Sequence, residues 1–136
     1  MKTYKIIVVE NDEDEQFFMK EGFDSTGLFE IITMVKSGDE LFEWLEANMD
    51  SQPDLILSDL NMPGKNGYDI IDEMKASPVY AAIPVVITST SSTPTIIAKC
   101  LTRGAADYVV KPETFIEYVP YVQGLYQRIT DKKLVK

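Results

Sequence analysis

The sequence predicts an α/β fold: one (βα)5 domain, doubly wound, with a five-stranded parallel sheet and helices on both faces. Two patterns and the chain length support this. Short apolar runs alternate with segments of helical spacing five times, which demands a parallel sheet with right-handed crossovers. The runs are rich in β-branched residues and are bounded by proline, glycine or polar clusters, as buried strands are. A chain of 136 residues fits one domain with one core, and no stretch reads as a linker, a repeat or a second domain.

The first strand candidate is Lys5 to Val9, Lys-Ile-Ile-Val-Val, which runs into Glu10-Asn11-Asp12-Glu13-Asp14-Glu15. A helix is expected from about Asp12 to Glu21, capped near Asn11 and stopped near Gly22. Acids suit the positive first turn of that helix, so Glu10 to Glu15 can be read simply as capping and dipole compensation. Phe29 to Val35 is the second strand. Ser37-Gly38-Asp39-Glu40 has the pattern of a capping box, opening a helix with Leu41, Phe42, Trp44 and Leu45 inward. Leu55 to Leu60, between Pro53 and Pro63-Gly64, is the third strand, too short for a confident helix. Asp59 is out of character there, since a carboxylate beside a buried strand is costly unless paired or bound to a cation.

Turn formers from Asn61 to Gly67 lead into a helix over about 67–75, with Ile70, Ile71 and Met74 on one face and Ser77-Pro78 as its end. Pro84 to Ser89 is the fourth strand. Thr93-Pro94 reads as an N-cap followed by proline at the first helical position. Ile96, Ile97, Cys100 and Leu101 give that helix its apolar face, and Gly104 ends it. Asp107 to Val110 is the fifth strand, ended by Lys111-Pro112. The last helix spans about 113–130, and Pro120 inside it predicts a kink or a late start.

Composition excludes several functions. A net charge of −9 opposes phosphate backbones and anionic membranes, so neither a nucleic acid nor a membrane is expected as a partner. No apolar run approaches the ~20 residues that span a bilayer, and the N-terminus leaves no room for a signal peptide before Ile6. Cys100 is the only cysteine, which excludes an internal disulfide and suits a reducing, cytoplasmic setting. With no histidine, a metal here needs oxygen ligands, which points to a hard cation such as magnesium.

In a parallel sheet the strand ends of one polarity meet along one edge. Glu10 and Asn11 follow the first strand, Asp59 the third, Ser89 the fourth and Lys111 the fifth. Each alone has an ordinary reading: Asp59 as a helix cap, Ser89 as a strand-end hydroxyl, Lys111 as a solvated lysine. Together, acids and amides that hold magnesium, with a lysine and a hydroxyl that meet phosphoryl oxygens, make a phosphoryl site.

These residues resemble the response-regulator receiver domain, of the stand-alone type, over nearly the whole chain. Asp59-Leu60-Asn61-Met62-Pro63-Gly64 with Asn66-Gly67 matches the phosphoacceptor loop. Val109-Val110-Lys111-Pro112, approached by Gly104-Ala105 and Tyr108, matches the lysine motif. The resemblance implies a flavodoxin-like strand order 2-1-3-4-5. It implies a two-component signalling protein whose Asp59 accepts a phosphoryl group from a phosphohistidine of a sensor histidine kinase or histidine phosphotransfer protein. Mg2+ or Mn2+ is then held by Glu10, Asn11, Asp59 and the backbone carbonyl of Asn61, with Asp12 as a possible substitute ligand. Lys111 pairs with the acceptor and then with the phosphate, Ser89 rather than Thr88 is the switch hydroxyl, and Tyr108 is the switch aromatic. Asn61 and Ser91 tune the phosphate lifetime, and Lys111-Pro112 is expected to be cis.

The chain departs from the family at Asn11, where a second acid is usual and is a direct magnesium ligand. Loss of that charge weakens the cation site if geometry is unchanged. The chain is not expected to be an enzyme on an external substrate but to assist its own phosphorylation and dephosphorylation. Output is expected through protein contact on the face of helix 4, strand 5 and helix 5, near Lys99, Tyr108, Phe115, Tyr118 and Tyr121, from a monomer or weak homodimer. Two function classes remain: this phosphorylated signalling switch, and a binding module that keeps the fold but works without phosphate. A flavin enzyme is disfavoured, because acids after the first strand repel a flavin phosphate.

Overall fold

The computed structural model describes residues 2–135 except the side chain of Phe115, so that part of the expected output face lies outside the described residues. Strands β1 (Tyr4–Val9), β2 (Phe29–Val35), β3 (Leu55–Asp59), β4 (Val85–Ser89) and β5 (Asp107–Val110) form one parallel sheet in the order β2-β1-β3-β4-β5. Helices α1 (Glu13–Thr26), α2 (Gly38–Ala47), α3 (Gly67–Ala76), α4 (Pro94–Arg103) and α5 (Tyr118–Lys132) alternate with the strands. The expected flavodoxin-like α/β architecture is therefore the observed one.

Alternation along each strand divides the apolar residues between two layers. Ile6, Val8, Leu55, Leu57 and Val86 pack with Met19 and Phe23 of α1 and with Val122, Leu125 and Ile129 of α5. Ile7, Val9, Ile56, Val85 and Ile87 face Leu41, Leu45, Ile70, Met74 and Cys100 from α2, α3 and α4. Both faces of the sheet are covered, which is why the strands read as continuous apolar runs.

Several boundaries differ from the expectation, each for a physical reason. Helix α1 is capped by Asp12, whose side chain accepts from Glu15 N at 3.0 Å, not by Asn11. It also runs through Gly22 to Thr26. Gly22 is a contact and not a breaker: a Cβ there would lie 2.7 Å from Tyr118 Cβ. Leu101 is 45% exposed, so the apolar face of α4 rests on Cys100, Ile96 and Ile97. Pro120 produces the late start: a 3-10 turn over Phe115–Glu117 precedes α5, leaving Pro120 in the first turn, where no hydrogen bond is lost. The peptide bond between Lys111 and Pro112 is trans, against the expectation of cis, and trans is the intrinsically favoured isomer before proline.

Candidate functional site

The carboxyl ends of β1, β3 and β5 bring three charged side chains into one cluster. Glu10 is anchored by its backbone N–H, which donates to Val35 O at 2.9 Å, and by its carbonyl, which accepts from Gln16 Nε2 at 2.7 Å. Its carboxylate is buried; Oε2 accepts from Asp12 N at 3.1 Å and Oε1 from Lys111 Nζ at 2.6 Å. Asp59 closes β3, and its Oδ1 accepts from Leu60 N at 2.8 Å and stands 3.5 Å from Lys111 Nζ. Among the described residues its Oδ2 accepts no hydrogen bond, and the side chain is 14% exposed. Gly67 keeps the following turn tight, since a Cβ there would meet Asp59 O at 2.8 Å and Leu60 Cα at 2.9 Å. Lys111 is fixed by its N–H, which donates to Ser89 O at 2.8 Å.

A third acid reaches this lysine. Glu15 Oε1 lies 3.5 Å from Lys111 Nζ, with its side chain 21% exposed. Sequence reasoning assigned Glu15 only to dipole compensation. The missed signal is its spacing: Glu15 lies four and seven residues before Met19 and Gly22, both buried, so it projects from the inward stripe of α1. Three carboxylates against one ammonium leave two net negative charges. Burial would lower the Lys111 pKa, but the hydrogen bond to Glu10 and the charges of Asp59, Glu10 and Glu15 raise it above the usual lysine value. Burial raises the Asp59 carboxyl, outweighing the pull of Lys111 and of the Leu60 N–H, and Glu15 adds to the rise. Glu10 is raised for the same first reason, against its bond to Lys111.

The hydroxyls divide cleanly. Thr88 Oγ1 is buried and shares a 2.6 Å hydrogen bond with Tyr121 OH, which commits it to the α5 side. Ser89 is the hydroxyl left at the end of β4, buried at 4% exposure and accepting from Ser91 N at 3.3 Å. Tyr108 is buried, and its hydroxyl donates to Ser91 O at 2.8 Å, tying the aromatic to the loop after Ser89. Asn11 and Asn61 are exposed at the rim. Asp12 is exposed too, and its Oδ1 is used as the α1 cap, which counts against it as a ligand. A surface cavity of ≈ 490 Å3 lined by Gly64, Lys65, Asp69, Asp72 and Glu73 shares no residue with the cluster.

Among the described residues no three histidine, cysteine, aspartate or glutamate side chains converge as direct metal ligands. The donors present still suit a hard cation: two acids, Glu10 and Asp59, with amide and carbonyl oxygens at Asn11 and Asn61. Magnesium commonly takes one or two carboxylates and keeps several waters.

The family model described as the response regulator receiver domain matches residues 6–123. The chain belongs to the response regulator receiver family. This receiver is 40% identical over 86 residues to the two-component response regulator ORR12 of Oryza sativa subsp. japonica, covering 63% of this chain and 69% of that protein. It superposes on the phosphorylated cyanobacterial phytochrome response regulator RcpA with a TM-score of 0.79 and 32% identity, covering 93% of each chain. The Mn2+-bound form of response regulator Rcp1 gives a TM-score of 0.76 at 26% identity, over 90% of this receiver and 91% of that chain. No helix among the described residues is long and apolar enough to cross a membrane.

Proposed function

We propose that this receiver accepts a phosphoryl group on Asp59 from a phosphohistidine of a sensor histidine kinase or phosphotransfer protein, and signals by protein contact. The observation that carries the reading is the state of the Asp59 carboxylate. Its Oδ1 is pinned by Leu60 N–H and faces Lys111, while among the described residues Oδ2 accepts no hydrogen bond and the side chain keeps an edge to solvent. That oxygen attacks phosphorus, a P–O bond forms, and the P–N bond breaks with its electron pair passing to the departing imidazole nitrogen. Lys111, held within 3.5 Å of the acceptor, then meets the new negative oxygens. Ser89 supplies a hydroxyl at the same edge. Bonding of Ser89 to the phosphoryl group pulls on the loop whose Ser91 carbonyl holds Tyr108. Glu10, Asn11, Asp59 and the Asn61 carbonyl would hold Mg2+ or Mn2+, which when bound would offset phosphoryl charge.

By resemblance to the family, Asn61 and Ser91 are assigned the tuning of the phosphate lifetime. The protein thus assists its own phosphorylation and dephosphorylation and turns over no external substrate. Output runs through the face of α4, β5 and α5 to a protein target, in the cytoplasm, from a monomer or weak homodimer. A phosphate-independent binding module is the second reading, favoured by Asn11, which removes an acid from the rim. Signalling by Asp59→Ala in the parent cell separates the two. Loss of output supports the phosphorylated switch, and full output sinks it.

A further inference from the structure

The cluster carries an acid that neither the helix cap nor the lysine requires. Asp12 caps α1, and Glu13 turns outward to pair with Lys36 at 2.5 Å. Glu15 alone of the first-turn acids turns inward, to 3.5 Å from Lys111 Nζ. Lys111 already has Glu10 at 2.6 Å and Asp59 at 3.5 Å, so a third carboxylate over-compensates its single charge. The excess of negative charge is what a divalent cation would neutralise. A second observation lies beside it. Tyr118 OH is buried, and among the described residues no acceptor meets it in full hydrogen-bond geometry, the Glu15 carboxylate being near it but not aligned. After burial itself, the neighbouring Glu15 carboxylate is what holds the phenol proton on. A buried hydroxyl short of a full hydrogen bond to the acid beside it gains one when that acid turns towards it.

We propose that Glu15 is the third acid of the cation site, acting on the ion through bound water and restoring the negative charge that Asn11 lacks. Water mediation agrees with the absence of three directly converging acids among the described residues. It also agrees with the preference of magnesium for keeping part of its hydration shell. Tyr118 OH is positioned to orient the carboxylate once the cation draws it from Lys111. The inference rests on the reading of the site as cation-dependent.

The test is isothermal titration of magnesium chloride at low ionic strength into the unmodified protein, Glu15→Gln, Asn11→Asp and the double variant. A 2+ ion and a carboxylate about 6 Å apart in a water-like dielectric attract enough for about a tenfold change in affinity. Glu15→Gln is therefore expected to weaken binding by about three- to tenfold, an effect that shrinks as salt is added. Asn11→Asp should tighten binding, and the double variant should return close to the unmodified protein. Magnesium binding by Glu15→Gln within twofold of the unmodified protein would overturn the inference while leaving the cation site in place. No saturable binding by the unmodified protein would overturn the cation reading itself. If Glu15→Gln melts early, Asn11→Asp alone decides: a gain larger than tenfold means that no other acid had supplied the charge.

Discussion

Replacing Asp59 by Asn is expected to make the protein more stable at pH 7, although it removes the proposed phosphoacceptor. The carboxylate is 14% exposed and lies 3.5 Å from Lys111 Nζ, which Glu10 and Glu15 share. At an effective dielectric near 20, Lys111 attracts Asp59 by about 5 kcal/mol. Glu10 and Glu15 meet the same ammonium, which places them within about 6–7 Å of Asp59, and together they repel it by about 5 kcal/mol. The two contributions cancel. What remains is the cost of keeping a carboxylate from water, several kcal/mol for full burial and about 1–2 kcal/mol for a group still at the solvent edge. Asn keeps the acceptor for Leu60 N–H, so a gain of about 1–2 kcal/mol follows, or roughly 3–8 °C in melting temperature.

The pH dependence has a definite sign. Burial raises the Asp59 pKa above its unfolded value, so the folded state favours the protonated acid. The penalty is absent below the unfolded value of about 3.9, grows as pH rises through the folded value, and is complete above it. Thermal melts of both proteins by circular dichroism, from neutral pH down to about pH 4, should show a gap that closes on acidification. An Asp59→Asn protein melting at or below the parent at pH 7 would refute the reasoning, and so would a gap that does not narrow.

Gly22→Ala should destabilise, although alanine gains about 1 kcal/mol inside a helix, because the new Cβ meets Tyr118 Cβ at 2.7 Å. Overpacking of that kind costs about 1–3 kcal/mol, and an unchanged or higher urea midpoint would contradict it. Asp107 is buried at the start of β5, where Arg128 bonds both its oxygens and Lys132 lies 3.2 Å away. Against burial, which raises it, these cations and the Tyr108 N–H hold its carboxyl below the usual range. The stability it contributes is present above about pH 3.9 and lost as pH falls through the folded value. Asp107→Asn should therefore cost about 1–2 kcal/mol at pH 7, since both cations can turn to solvent, and the difference should vanish in acid denaturation curves. Thr88→Val should cost about 1–2 kcal/mol by orphaning Tyr121 OH, leaving acetyl phosphate labelling unchanged. Ser89→Ala should slow that labelling, and the opposite pattern would reverse the assignment of the switch hydroxyl.

Most of the architecture was legible because this fold writes a strong signal. Apolar β-branched runs bounded by glycine, proline or polar clusters mark strand limits. Phe29–Val35 and Asp107–Val110 therefore read with their observed limits, although they are edge strands carrying Glu30, Thr33 and Asp107. Gly22 misled because a glycine in a helix looks the same whether it ends the helix or admits a neighbour, and Tyr118 is 96 residues away. The strand-end residues Glu10, Asp59 and Lys111 were legible as polar residues where an apolar run stops. Glu15 was not, because its helical cap context offered a sufficient local explanation. Only the inward turn of α1 against Lys111 shows its place. The Asp107 network was hidden for the same reason: Arg128 and Lys132 lie in the last turns of α5, where cations already suit the helix dipole.

The central claim is that Asp59 carries phosphate. The most direct measurement is intact mass spectrometry of the protein and Asp59→Asn after incubation with acetyl phosphate and magnesium. One added phosphoryl group on the parent, absent from the variant and from a sample without divalent cation, is the predicted result. No added mass on the parent at high magnesium, or equal labelling of Asp59→Asn, would contradict the account.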